Sequence, residues 1–144
     1  IKEYLMNSKT IDKFFELFHA DQIDDALALY HSDCIDTDHA TGEVNKDKEA
    51  IRNSFQFWKS AFSDMNVTIR KHVEEGNTVA TELTFKGTND GDLPLPDGST
   101  IPATNNVATL HGCQITVFDD DGLMIKTDNY YNIGSMMEQL GIGG

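Results

Sequence analysis

The hydrophobic period of the chain changes near residue 62. Before that point apolar residues recur every three or four positions, and after it they alternate. Ile11, Phe14, Phe15, Leu17 and Phe18 form the first helical stripe, with Ser8 or Thr10 placed to cap it. Asp24-Asp25 opens a short helix from Ala26 to Tyr30, its acids at the positive end. Asn45 or Asp47 starts a third helix, whose apolar side carries Ile51, Phe55, Trp58 and Phe62. Strands follow. Val67 and Ile69 alternate with polar neighbours, Glu75-Gly76-Asn77 makes a hairpin turn, and Val79 to Phe85 returns. Gly87 to Thr104 holds Pro94, Pro96 and Pro102 and predicts a long loop. Val107 to Phe118 is a strand, Asp119-Asp120-Asp121-Gly122 turns it, and Leu123 to Tyr131 runs back. A last helical turn or two carries Met136, Met137 and Leu140.

Helices followed by a four-strand antiparallel meander give an α+β class. The N-terminal helices pack on one face of a curved antiparallel sheet and leave a cone with an open end, a natural small-molecule pocket. The 144 residues make one domain, 1–144, long enough to bury roughly 70% of its unfolded surface without staples.

Charge narrows the partners. Twenty-four acids against eleven bases give −13, which repels nucleic acid and anionic membranes. No apolar run approaches the ~20 residues of a membrane span. Ile1-Lys2-Glu3-Tyr4 carries no signal-peptide pattern. Cys34 and Cys113 form no C-x-x-C motif and no zinc spacing, so two buried thiols in a reducing cytoplasm are expected. Asp33, Asp36, Asp38 and His39 cluster after the second helix. They lack the glycine and closing glutamate of a calcium loop and read as a solvated acidic loop, so no metal is expected.

The chemistry-bearing residues lie on the two C-terminal strands. Ile125, Thr127, Asn129 and Tyr131 share one face, and Met124, Lys126, Asp128 and Tyr130 share the other. The charges sit in the second set, which places Asn129 inward and Asp128 outward. Gln114 and His111 lie on opposite faces of their strand. An inward carboxylate in an apolar cone serves as a general base, whereas an inward amide only orients a ligand or donates to an oxyanion.

Certain residues, in order, resemble the SnoaL-like polyketide cyclases of the NTF2-like superfamily, from about Phe14 to Gly141. They are Phe14…Phe18 with Asp24-Asp25, Ala50-Ile51…Ala61-Phe62-Ser63-Asp64, and Phe85-Lys86-Gly87-Thr88…Gly91. They continue through Ile101-Pro102-Ala103-Thr104, Phe118…Asp121-Gly122 and Asn129-Tyr130-Tyr131-Asn132…Gln139-Leu140-Gly141. The resemblance implies an NTF2-like cone, an apolar cavity, a homodimer and no cofactor. In the cyclases it implies a pocket Asp on the last long strand that takes a proton from carbon, with a His on the preceding strand assisting. Here the Asp position holds Asn129, and the His position falls on Gln114 or Ile115. The related epoxide-hydrolase chemistry needs Asp and Arg where Leu83 and Phe85 stand, and is rejected.

The expected function is therefore binding of a small, largely apolar or polyketide-like molecule. Phe18, Trp58, Leu83, Phe85 and Tyr131 would form the walls, with Gln114 and Asn129 orienting the ligand. The alternative is a cyclase or isomerase doing cofactor-free enolate chemistry. Its catalytic candidates are Asn129, Gln114 and Asp128, with Asp36 or Asp38 as other bases. A third reading is an interaction protein whose cone is filled by its own side chains.

Overall fold

Residues 6–95 and 97–143 are described by the computed structural model. Pro96 and the Ile1-Lys2-Glu3-Tyr4 segment lie outside the described residues. The order is α1 (Asn7–His19), α2 (Ile23–Leu27), β1 (Tyr30–Asp38), β2 (Val44–Asn45), α3 (Lys48–Ala61), β3 (Asn66–Glu75) and β4 (Thr78–Thr88). Then come β5 (Leu93–Pro94), β6 (Thr100–Ile101), β7 (Val107–Phe118), β8 (Met124–Tyr130) and α4 (Ile133–Leu140). The main sheet runs β2-β1-β8-β7-β4-β3, and β5 and β6 form a separate pair. The architecture is mixed α+β, with helices packed on one face of a curved, open sheet.

The helices follow their apolar stripes. Ile11, Phe14, Leu17 and Phe18 of α1 are buried. The Asp47 side chain caps α3, accepting from the Ala50 N–H at 2.8 Å. Asn132 caps α4 in the same way, through the Ser135 N–H at 2.9 Å, and Gly141 ends that helix at φ 74°, the left-handed conformation a glycine adopts freely. One buried cluster gathers Phe14, Phe18, Tyr30, Cys34 and Phe118. A second gathers Phe62, Phe85, Leu110, Met136 and Leu140.

Five expectations are corrected. Neither Ser8 nor Thr10 caps α1. Met6 precedes the helix without a side-chain bond, and the buried Ser8 donates its N–H to Glu74 Oε1 at 2.9 Å. The short helix ends at Leu27 rather than Tyr30, because Tyr30 already belongs to β1. The stretch expected to be a solvated acidic loop is strand β1, and Asp36 within it is buried. The sheet has six strands, because β1 pairs in parallel with β8 and covers what would otherwise be an open edge. Met124 is buried rather than outward, since the β7–β8 register shifts between Val117 and Phe118.

The long loop is organised by one buried side chain. Asn89 donates to the carbonyls of Ala61 at 3.2 Å and Gly91 at 2.9 Å. Its Oδ1 accepts from the Thr104 N–H at 2.9 Å and the Thr104 hydroxyl at 3.0 Å. The two ends of the loop are thereby tied to each other and to the end of α3. No described helix is long and apolar enough to cross a membrane.

Candidate functional site

The helices and the sheet face beneath them leave a cavity of about 180 Å³ between the two buried clusters. The cone is thus not filled by its own side chains. α1 contributes Phe14 and Phe18, α3 contributes Phe55 and Trp58, and β4 contributes Leu83 and Phe85. β7 contributes Leu110 and Gln114, and Tyr131 follows β8. The aromatic walls are coupled edge to face. Trp58 lies 6.1 Å from Phe85 and 6.2 Å from Tyr131 between ring centroids.

Strand parity builds the polar part. In β8, residues 127 and 129 share one face, and in β1, residues 36 and 38 do. The parallel register sets Asp36 beside Thr127 and Asp38 beside Asn129. Four inward polar side chains therefore meet on adjacent strands. Gln114 joins from β7, where it is the register partner of Asn129.

The result is a continuous hydrogen-bonded chain. Gln114 Nε2 donates to Asn129 Oδ1 at 3.0 Å. Asn129 Nδ2 donates to Asp36 Oδ1 at 2.8 Å and to the Thr37 carbonyl at 3.2 Å. The Thr127 hydroxyl also donates to Asp36 Oδ1. Asn45 Nδ2 reaches Asp36 Oδ2 at 3.3 Å. Asp38 forms a second anchor. Its Oδ1 accepts from the backbone N–H groups of Ala40 at 2.9 Å and Thr41 at 3.0 Å, and its Oδ2 accepts from the Tyr131 hydroxyl at 2.7 Å.

These carboxylates set the local field. Burial pushes the Tyr131 phenol far up, and its hydrogen bond to Asp38 adds to this, so Tyr131 stays a donor. Burial likewise raises Tyr30, with Asp36 contributing. Glu43, just beyond the site, is raised by desolvation first and then by the charges of Asp38 and Asp36. The buried Cys34 thiol is also raised, chiefly by burial, which makes it a poor nucleophile. Cys34 and Cys113 are both free.

All seven residues expected to contact a ligand (Phe18, Trp58, Leu83, Phe85, Gln114, Asn129 and Tyr131) line the cavity. The catalytic candidates divide. Asn129 and Gln114 are in the cavity, joined to each other. Asp128 is not among the lining residues. Its Oδ1 lies 2.7 Å from His39 Nε2, and His39 stacks on Tyr130 at 4.4 Å. Alternation along β8 turns Asp128 away from Asn129, so no bulge brings it inward. His111 is exposed and meets Thr84 at 3.2 Å.

In the sequence alone Asp36 and Asp38 read as loop residues, and their convergence with Asn129 comes from strand β1. The usable signal was the two-residue spacing of Cys34, Asp36 and Asp38, which is strand periodicity hidden by charge. Among the described residues no three His, Cys, Asp or Glu side chains converge as a metal-ligand set.

The SnoaL-like domain family matches residues 11–126. None of the curated proteins matches the chain by sequence. Among solved structures, the chain is similar to IdmH of Streptomyces antibioticus, a proposed polyketide cyclase. Identity is 23%, with 94% of this chain and 99% of that one covered, at TM-score 0.77. It is also similar to a proposed SnoaL-like polyketide cyclase from a Jannaschia species, with 15% identity, 96% and 93% coverage, and TM-score 0.82. A protein of ketosteroid isomerase-like fold from Catenulispora acidiphila, solved in complex with trimethylamine, matches at 17% identity, 92% and 92% coverage, and TM-score 0.74. The match over residues 11–126 covers α1 from Ile11 onward, all of α3 and every main-sheet strand up to Lys126 in β8, and on that ground the chain belongs to the SnoaL-like domain family.

Proposed function

We propose that this protein binds a small, largely apolar molecule in its cone. One observation carries the reading. The cavity is walled by aromatic and aliphatic side chains, and its polar atoms are concentrated in two hydrogen-bonded groups, around Asp36 and around Asp38. The amides of Gln114 and Asn129 stand where the family's acid and base are expected, and they orient rather than titrate. The complex of the Catenulispora acidiphila protein with trimethylamine supports the fold as one that takes up small organic molecules. We further place the protein in the cytoplasm as a homodimer. A sedimenting species of only 16.0 kDa would remove the dimer.

Trp58 is the only tryptophan of the chain and lines the cavity, so its fluorescence reports occupancy. Titration with a neutral apolar probe such as 2-heptanone is expected to change that emission saturably. A Ser54→Phe variant, which adds a ring from α3 into the cavity, is expected to abolish the change. An unsaturable response, unchanged in the variant, would count against binding in the cone.

A second reading, cofactor-free enolate chemistry, is favoured by Asp36 and Asp38 lining the cavity. Each already accepts three hydrogen bonds, which leaves little room to accept a substrate proton and ranks this reading second. Its test is α-proton exchange of a β-keto ester in heavy water. Exchange accelerated by the protein and lost in both Asp36→Asn and Asp38→Asn would put catalysis first.

A further inference from the structure

Among the described residues, the two carboxylates in the cavity have no cationic partner. None of the twenty lining residues is Lys, Arg or His. Neither Asp36 nor Asp38 enters an ion pair among the described residues. Every donor that reaches them among the described residues is neutral: a hydroxyl, an amide or a backbone N–H. Burying unpaired charge is costly, and the usual remedy is a counter-ion.

The rest of the wall suits one kind of counter-ion. Nine of the twenty lining residues are aromatic. A cation over the face of an aromatic ring is attracted by the ring quadrupole, most strongly over tryptophan. Trp58 and Tyr131 are adjacent, and Tyr131 donates its hydroxyl proton to Asp38, which makes its ring more electron-rich. Aromatic faces and a carboxylate thus occur side by side.

The hydrogen-bond inventory narrows the choice further. A carboxylate offers about four lone-pair sites. On Asp36 three are taken, by Thr127, Asn129 and Asn45. On Asp38 three are taken, by Ala40, Thr41 and Tyr131. The site offers negative charge and aromatic surface but few free acceptors. A primary ammonium, with three N–H groups to satisfy, is poorly served there. A methylated ammonium presents methyl groups to the rings and asks for few or no hydrogen bonds.

We infer that the cone selects ligands bearing a methylated or quaternary ammonium group, held by Asp36, Asp38 and the Trp58–Tyr131 wall. This rests on the reading that the cone is a ligand site and adds the charge of the ligand to it. Glu43 is raised chiefly by desolvation, and the charges of Asp38 and Asp36 add to that rise.

The test compares benzyltrimethylammonium with neopentylbenzene, its neutral isostere, by Trp58 fluorescence on the intact protein. The cation is expected to bind about tenfold tighter than the isostere. Asp38→Asn, which keeps the shape of the side chain, is expected to bring the two near parity by weakening the cation alone. Asp36→Asn is the second variant, and circular dichroism checks that each is folded. Equal or tighter binding of the isostere by the unmodified protein would overturn the inference while leaving the cone as a ligand site. Tighter binding of benzylamine than of benzyltrimethylammonium would overturn the methylated group. Binding of none of the three would remove the ligand site itself, and the inference with it.

Discussion

Asn129 holds Asp36 from the neighbouring strand, its Nδ2 2.8 Å from Asp36 Oδ1. The contact crosses from β8 to β1 and is diagonal in register, since Asp36 lies directly beside Thr127. An Asp at position 129 would replace this donor with a second carboxylate. Asn129→Asp is therefore expected to destabilise the fold by about 1–3 kcal/mol near neutral pH, through repulsion and a lost donor. The loss should shrink on acidification, when a proton is shared between the two groups. Urea unfolding at pH 7 and pH 4.5 measures both. Equal stability of variant and parent at pH 7 would mean that the Asn129–Asp36 bond does not hold the strands.

Thr116 is fully buried on the inner face of β7, and its hydroxyl has no hydrogen-bond partner among the described residues. A buried hydroxyl without a partner is a cost that an isosteric methyl removes. Thr116→Val is expected to raise stability by about 1 kcal/mol. A fall in the urea midpoint would show that the hydroxyl is satisfied after all.

Glu43 supplies the pH dependence. Its folded-state pKa is raised, so the native state holds this proton more tightly than the unfolded chain does. At low pH both states are protonated and the difference vanishes. As pH rises through the raised value, the native state is penalised. Glu43→Gln should therefore raise the melting temperature at pH 7, with the gain fading below the ordinary glutamate value near pH 4.5. A gain that persisted at pH 3.5 would point to a cause other than charge.

Gly91 marks the tightest backbone approach. A Cβ there would sit 1.9 Å from the Ser60 carbonyl oxygen, and that atom belongs to backbone. Gly91→Ala is expected to cost about 3 kcal/mol by forcing the Gly87–Thr104 segment off the end of α3. Chemical denaturation gives the number. A cost below about 0.5 kcal/mol, the range of ordinary surface substitutions, would show that the segment yields freely.

The helices and the hairpins were legible because their signal is local. The stripe of Ile51, Phe55, Trp58 and Phe62 repeats at helical spacing, and its cap Asp47 precedes it. The alternation of Leu83 and Phe85, or of Thr127 and Asn129, orders side chains by face before any contact exists. The cavity walls named from sequence follow from these periods, as does the inward Asn129, whereas Gln114 is placed beside it by the family resemblance. Strand β1 was not legible, because its inward positions are Cys34, Asp36 and Asp38, and carboxylates ordinarily mean solvent. Only the parallel pairing of residues 30–38 with β8, distant in sequence, brings Thr127 and Asn129 within hydrogen-bond reach of Asp36, while Asn45 reaches it from β2 on the other side. Periodicity along one strand tells which residues face inward. Which inward residues meet depends on register between strands, and that is decided when the sheet assembles.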